Sequence, residues 1–206
     1  MEKIEFVIPT YKDGNNLMGL LYSLINQSNP YWTAHVISDG EYEGFDNVQE
    51  HFFSKYKFIY NNTANNPFVN DNIKFSKIDG PNKDWGHTAR NYGLENATEE
   101  WIVMTGADNY YMPNFVSEFL KYTLDNNFIF CNMVHNEAHY KHYQELKAEL
   151  TVNNIDMGCF ATKREYAQQL KLNTKSYQAD WEFVEKYITL FPGGIKHLNK
   201  ILYVHN

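Results

Sequence analysis

The chain has 206 residues, of which 43% are hydrophobic and 17% aromatic, and a formal net charge of −7. That length suits one α/β domain with a sizeable core, and an acidic balance without a basic stripe excludes a general nucleic-acid binder. No apolar run is long enough for a transmembrane helix.

Strand and helix signals alternate along the chain. IEFVIP (residues 4–9) is an apolar run closed by proline, which predicts a buried strand. Residues 15–26 carry Leu17, Leu20, Leu21, Leu24 and Ile25 at helical spacing behind an Asn/Gly start. AHVISDG (34–40) predicts a second strand ended by Asp-Gly, 45–54 a helix, and YKFIYN (56–61) a third strand. Residues 62–83 are polar and rich in turn formers, with a short strand at 73–78. A helix at 86–96, a strand at 101–105, a helix at 114–124 behind Pro113 and a strand at 128–134 follow. The last third is less regular. It reads as an exposed helix at 137–150, a short strand at 157–161, helices at 163–170 and 180–190, and one or two strands within 195–204. No repeat or linker interrupts the pattern, so one domain is the economical reading. The βαβαβ order implies a mainly parallel, doubly wound sheet with ligands at the C-terminal ends of its strands. Cys131 and Cys159 sit in apolar company without CxxC spacing and read as buried thiols of a reducing compartment. The opening MEKIEFVIPTYK reads as a strand rather than a signal peptide, so a soluble, cytoplasmic protein is expected.

The turns after these strands hold the candidate chemistry. PTYKDGNNL (9–17) leads from a strand into a helix N-terminus, whose N–H groups suit an anion or nucleotide, yet it lacks both the dinucleotide and the P-loop fingerprints. Asp39 in Ser-Asp-Gly is placed to accept from a base N–H or a ribose hydroxyl; its plainer role is to make the turn. In WGHTARNYGL (85–94), Arg90 is either a diphosphate partner on the strand rim or half of a surface ion pair, and Gly86 and Gly93 permit close backbone approach. In TGADN (105–109), Asp108 suits a hard divalent cation, which keeps waters and is satisfied by one carboxylate plus diphosphate oxygens. Asn109 adds a carbonyl oxygen or only shapes that turn. In QADWEF, Asp180 faces the site or caps its helix, while Glu182 points elsewhere. His205 is structural unless a metal lies nearby.

The order of these turns resembles the family 2 glycosyltransferases of GT-A fold. The motifs are PTY after the first strand, S-D-G after the second, ARN-x-GL before the next, then a strand with an acidic turn and a downstream proline. The match is dense from residue 4 to about 113 and thinner through MGCFATKRE, ADWEF and the final His. The resemblance implies an α/β, Rossmann-like three-layer fold with a mainly parallel central sheet and a less regular C-terminal half. Residues 1–113 would bind the nucleotide sugar and 114–206 the acceptor, as a single domain or as a piece of a longer protein. It implies nucleotide contacts from Pro9, Thr10, Tyr11, Asp39, Arg90, Ala107 and Asp108, a Mn²⁺ or Mg²⁺ ion on Asp108 and His205, and Asp180 as catalytic base. Ala107 and Gly106 stand where the family often has acids, and Ala179 replaces the Glu before the base.

The implied reaction is an inverting, metal-dependent transfer from a nucleotide diphosphate sugar to a carbohydrate hydroxyl, with UDP expected as the commonest nucleotide of the family. Acceptor candidates are Asp156, Trp181, His135, Tyr140 and Tyr143, with turn capping or ordinary packing as their plainer roles. The alternatives are a nucleotide-sugar-binding module without catalysis, or a nucleotidyltransferase. The latter would want a Gly-rich, basic N-terminal loop, and PTYKDGNN is not one.

Overall fold

The computed structural model describes residues 2–55, 72–137 and 142–206. The strand expected at 56–61 and the acceptor candidate Tyr140 lie outside the described residues. The apolar runs closed by turn residues become strands β1 (Ile4–Thr10), β2 (Trp32–Asp39) and β4 (Trp101–Met104), and the short strand expected in the polar segment becomes β3 (Ile73–Ile78). They lie parallel in the order β3-β2-β1-β4. All of β1 is buried, as befits a central strand covered on both faces. The sheet continues through β8 (Phe160–Lys163), β6 (Phe128–Glu137), β9 (Ile195–His205) and β5 (Tyr110–Tyr111), and β7 (His142–Leu146) pairs with β6. β8 runs antiparallel to β4 and β6, whereas β6 and β9 are parallel, so the sheet is mixed but mainly parallel. This is the α/β, mainly parallel architecture that the resemblance implies.

The helices are α1 (Gly14–Ile25), α2 (Glu43–Glu50), α3 (His87–Glu95), α4 (Phe115–Phe119), α5 (Arg164–Leu170) and α6 (Ala179–Leu190). The periodic Leu17, Leu20, Leu21 and Leu24 of α1 are all fully buried. α1 packs against α2 and β5, while α3 packs against β1, β2 and α5. Gly93 allows the second contact: a Cβ there would run into Val7 and Ile37. Much of the aromatic content goes into the core, where Phe6, Phe45, Phe115, Phe119, Phe128, Phe160 and Phe183 are fully buried.

Some expected elements are corrected. The described residues of the 137–150 segment do not form the expected helix: Met133–Glu137 pairs with His142–Leu146 as antiparallel strands. Tertiary pairing with β6 overrides local propensity there. The strand expected at 157–161 is a 3₁₀ turn (Met157–Cys159) followed by β8. The helix expected at 114–124 is only α4 plus a 3₁₀ turn (Leu120–Tyr122), and that expected at 45–54 is present as α2 continued by a π turn (His51–Lys55). β9 is one strand with a register shift against β6. No described helix is long and apolar enough to cross a membrane. Cys131 and Cys159 are free and buried, and burial raises both thiol pKa values.

Candidate functional site

The C-terminal ends of β1, β2 and β4 open into a cleft of about 1050 Å³. Pro9, Thr10, Tyr11 and Asp39 line it from the strand rim, with Arg90 from α3 and Ala107 and Asp108 from the turn after β4. Asp156, Asp180, Trp181 and His205 line it from the second half of the chain. His135 also lines it, whereas Tyr143 does not; the Tyr143 hydroxyl instead donates to Asn206 Oδ1 at 2.9 Å.

On the rim of the first strands, Thr10 Oγ1 and the Tyr42 hydroxyl share a 2.7 Å hydrogen bond, and the Tyr11 ring meets Tyr42 edge-on at 6.4 Å. Asp39 is buried and already engaged: Asn82 donates its side-chain Nδ2–H to Oδ1 at 2.6 Å and its backbone N–H to both carboxylate oxygens. Sequence reasoning missed Tyr42 and Asn82. The turn-forming string Asp79-Gly80-Pro81-Asn82 was the only local signal for the latter.

Arg90 and Asn91, adjacent in sequence, do different work. The Asn91 side chain accepts from Leu172 N–H at 2.8 Å and donates to Leu172 O at 2.9 Å, pinning the chain ahead of α6. Arg90 turns to the cleft, donating Nε–H to Thr105 O at 3.3 Å and Nη1–H to Trp85 O at 2.8 Å. Burial lowers the guanidinium pKa, opposed by Asp156, Tyr203, Asp108 and Asp180. Arg90 is therefore a half-buried cation set among three cleft carboxylates.

Asp180 lies in the first turn of α6, behind the N-cap residue Gln178, so it is not the cap. Its Oδ1 accepts from Trp181 N–H at 2.7 Å. Burial chiefly raises its pKa and the negative charge of Asp156 adds to this, against lowering by the Trp181 N–H and Arg90. Such a carboxylate is a stronger proton acceptor than an ordinary aspartate. Glu182 points away, accepting from Asn173 Nδ2–H at 2.9 Å.

Asp156 caps the 3₁₀ turn and also serves the cleft. Its Oδ1 accepts from Gly158 N–H at 2.8 Å and from the Tyr203 hydroxyl at 2.6 Å. Its Oδ2 lies 3.4 Å from His205 Nε2. Tyr203 covers Gly158 so closely that a Cβ there would enter the ring. The His205 ring stacks on His135 at 4.6 Å, and its Nδ1 is buried without a hydrogen-bond partner among the described residues. A carboxylate holding one imidazole nitrogen while the other stays unpaired is the usual arrangement of a metal-ligating histidine.

In the opposite turn, Asn109 shapes the backbone rather than offering its oxygen to the cleft: Oδ1 accepts from Asn206 N–H at 3.1 Å. A Cβ on Gly106 would sit 2.7 Å from Asp108 Oδ1, so an acid there would displace Asp108. Asp13, not singled out from sequence, lines the same cleft; burial raises its pKa first, and the charge of Asp108 adds to this. Among the described residues no three His, Cys, Asp or Glu side chains group as a metal cage. Asp108 on one side of the cleft and the unpaired His205 Nδ1 on the other are donor types that a hard divalent ion accepts beside water and phosphate oxygens.

The family model described as Glycosyl transferase family 2 matches residues 5–186. Among solved structures, S. aureus TarS 1–349 is similar with a TM-score of 0.69 at 16% identity, over 99% of this chain and 60% of that one. TarS 1–349 in complex with UDP-GlcNAc is similar at 0.65 and 17% identity, over 98% of this chain and 58% of that one. The mannosyltransferase PcManGT from Pyrobaculum calidifontis, in complex with GDP-Man and Mn²⁺, is similar at 0.67 and 16% identity, over 98% and 56%. The chain thus spans about 60% of the length of TarS 1–349. No curated protein sequence matches it.

Proposed function

Because the chain belongs to glycosyl transferase family 2, we propose that it moves a sugar from a nucleoside diphosphate sugar, with UDP as the nucleotide, to an acceptor hydroxyl with inversion. One observation carries this reading: Asp180, Arg90 and Asp108, from separate segments, converge on one cleft at the strand ends. The UDP, UDP-GlcNAc and GDP-Man complexes of TarS and PcManGT support a nucleotide sugar as donor.

In this reading Thr10, Tyr11 and Asp39 hold the base and ribose, Asn82 fixes the Asp39 carboxylate, and buried Ala107 leaves room beside the ribose. Asp180 accepts the proton of the acceptor hydroxyl as its oxygen bonds to the sugar C1. The C1–oxygen bond to the diphosphate breaks on the opposite face, and the diphosphate leaves with the electron pair. The guanidinium of Arg90 offsets the charge that develops on it. A Mn²⁺ or Mg²⁺ ion held by Asp108 and by His205 Nδ1 would add positive charge at the same oxygens. Asp156 orients His205 and raises the basicity of Asp180.

The test is a thermal-shift screen of UDP, GDP and dTDP with and without Mn²⁺, followed by UDP-sugar hydrolysis. Metal-dependent stabilisation by one nucleotide and slow metal-dependent hydrolysis are expected. Binding without hydrolysis or transfer would establish a nucleotide-sugar-binding module instead.

A further inference from the structure

Two large aromatic side chains at the cleft are left in water. Trp85 is 55% exposed and Tyr177 75% exposed, and neither packs into the hydrophobic core. They come from distant segments, the turn before α3 and the turn before α6, yet their rings meet edge-to-face at 5.6 Å and 71°. Both line the cleft.

The backbone holds Trp85 there against its own preference. Its φ is 58°, between Lys83 at 56° and Gly86 at 82°, and a bulky residue rarely adopts the left-handed region. The turn is fixed from both sides. Asp84 Oδ2 accepts from Thr88 N–H at 2.8 Å and from the Thr88 hydroxyl, and the Trp85 carbonyl accepts from Arg90. Strain that exposes an indole returns nothing to the fold, which points to a ligand. Beside it Asp84, 6% exposed and also lining the cleft, keeps Oδ1 without a hydrogen-bond partner among the described residues.

We infer that Trp85 and Tyr177 form the platform on which the acceptor sugar stacks, presenting its hydroxyl to Asp180. Aromatic faces take up the C–H face of a pyranose, and a neighbouring carboxylate oxygen accepts from its hydroxyls. Tyr177 and Asp180, three residues apart, line the same cleft. The groups proposed for the nucleotide, Thr10 and Asp39, are instead tied to Tyr42 and Asn82. The inference rests on the transferase reading for its direction, and it assigns that site a pyranoside acceptor.

Saturation-transfer NMR with a panel of methyl pyranosides, and separately with UDP, tests it. Wild-type protein is expected to saturate the ring C–H protons of at least one methyl pyranoside. Trp85→Ala and Tyr177→Ala should each weaken that binding by about tenfold, Tyr177→Phe should retain it, and UDP affinity should stay unchanged in all three. No saturated methyl pyranoside, or an equal loss of UDP affinity in Trp85→Ala, would overturn the platform, the second outcome assigning it to the base. Pyranoside saturation that depends on Trp85 in a protein that binds no nucleoside diphosphate keeps the platform and removes the transferase reading.

Discussion

Asp180→Asn separates chemistry from architecture at the proposed base. The amide oxygen can still accept from the Trp181 N–H that Asp180 Oδ1 accepts at 2.7 Å, so α6 keeps its first turn. What is lost is the proton acceptor, whose contribution is about 10²–10⁴-fold in kcat. The folded state holds the Asp180 proton more tightly than the unfolded chain does, because burial raises its pKa. Folded protein thus binds more protons than unfolded protein between the ordinary and the raised pKa, and stability falls as pH rises through that window. At neutral pH the ionised Asp180 costs stability, so the Asn variant should melt at the same temperature or higher. The wild-type rate should decline as pH falls through the raised pKa, and Asp156→Asn should move that acid limb to lower pH by removing a charge that raises it. The assay is a pH series of UDP-sugar turnover beside nucleotide titration calorimetry and thermal melts. Near-normal kcat in Asp180→Asn, or a turnover loss matched by a collapse in melting temperature, would refute the assignment.

Further outcomes follow from other residues. Asp108→Ala should abolish Mn²⁺-dependent nucleotide binding, and unchanged Mn²⁺-dependent calorimetry would count against its role as ligand. His35, buried on β2 with Nε2 2.8 Å from Ser76 Oγ, has its pKa lowered to about 4 by burial and by Lys74. Unfolded chains bind its proton first, so wild-type stability should fall between about pH 6.5 and 4, by on the order of 3 kcal/mol, and His35→Gln should flatten that decline in denaturant titrations. Gly93→Ala should destabilise the fold by about 1–3 kcal/mol in the same measurement, because its Cβ would press on Val7 and Ile37 where α3 meets the sheet. An undiminished midpoint there would mean the helix shifts without cost.

The front of the molecule was readable residue by residue. β1, β2 and β4 are apolar runs closed by proline or turn residues, and the leucines of α1 repeat at helical spacing. Such signals are local, and a parallel sheet buries them on both faces, so local pattern and tertiary position agree. Glu5 shows the limit: a carboxylate within β1 is buried because it accepts from Thr98 and Glu99 N–H, partners far along the chain. Residues 142–146 mark the same limit for elements, since a stretch that reads as helix pairs with β6 instead.

What the sequence by itself determined was the alternation of strands and helices in the first half and the strand ends at which Pro9, Asp39 and Asp108 stand, because the local pattern marks where each of those strands closes. Only the tertiary structure decided what those side chains meet. Asn82 takes up Asp39, Trp85 accepts from Arg90, and Asp156 reaches Tyr203 and His205 across the sheet. These contacts join residues that no helical or strand period relates, so they exist only once the sheet has brought distant turns to one edge.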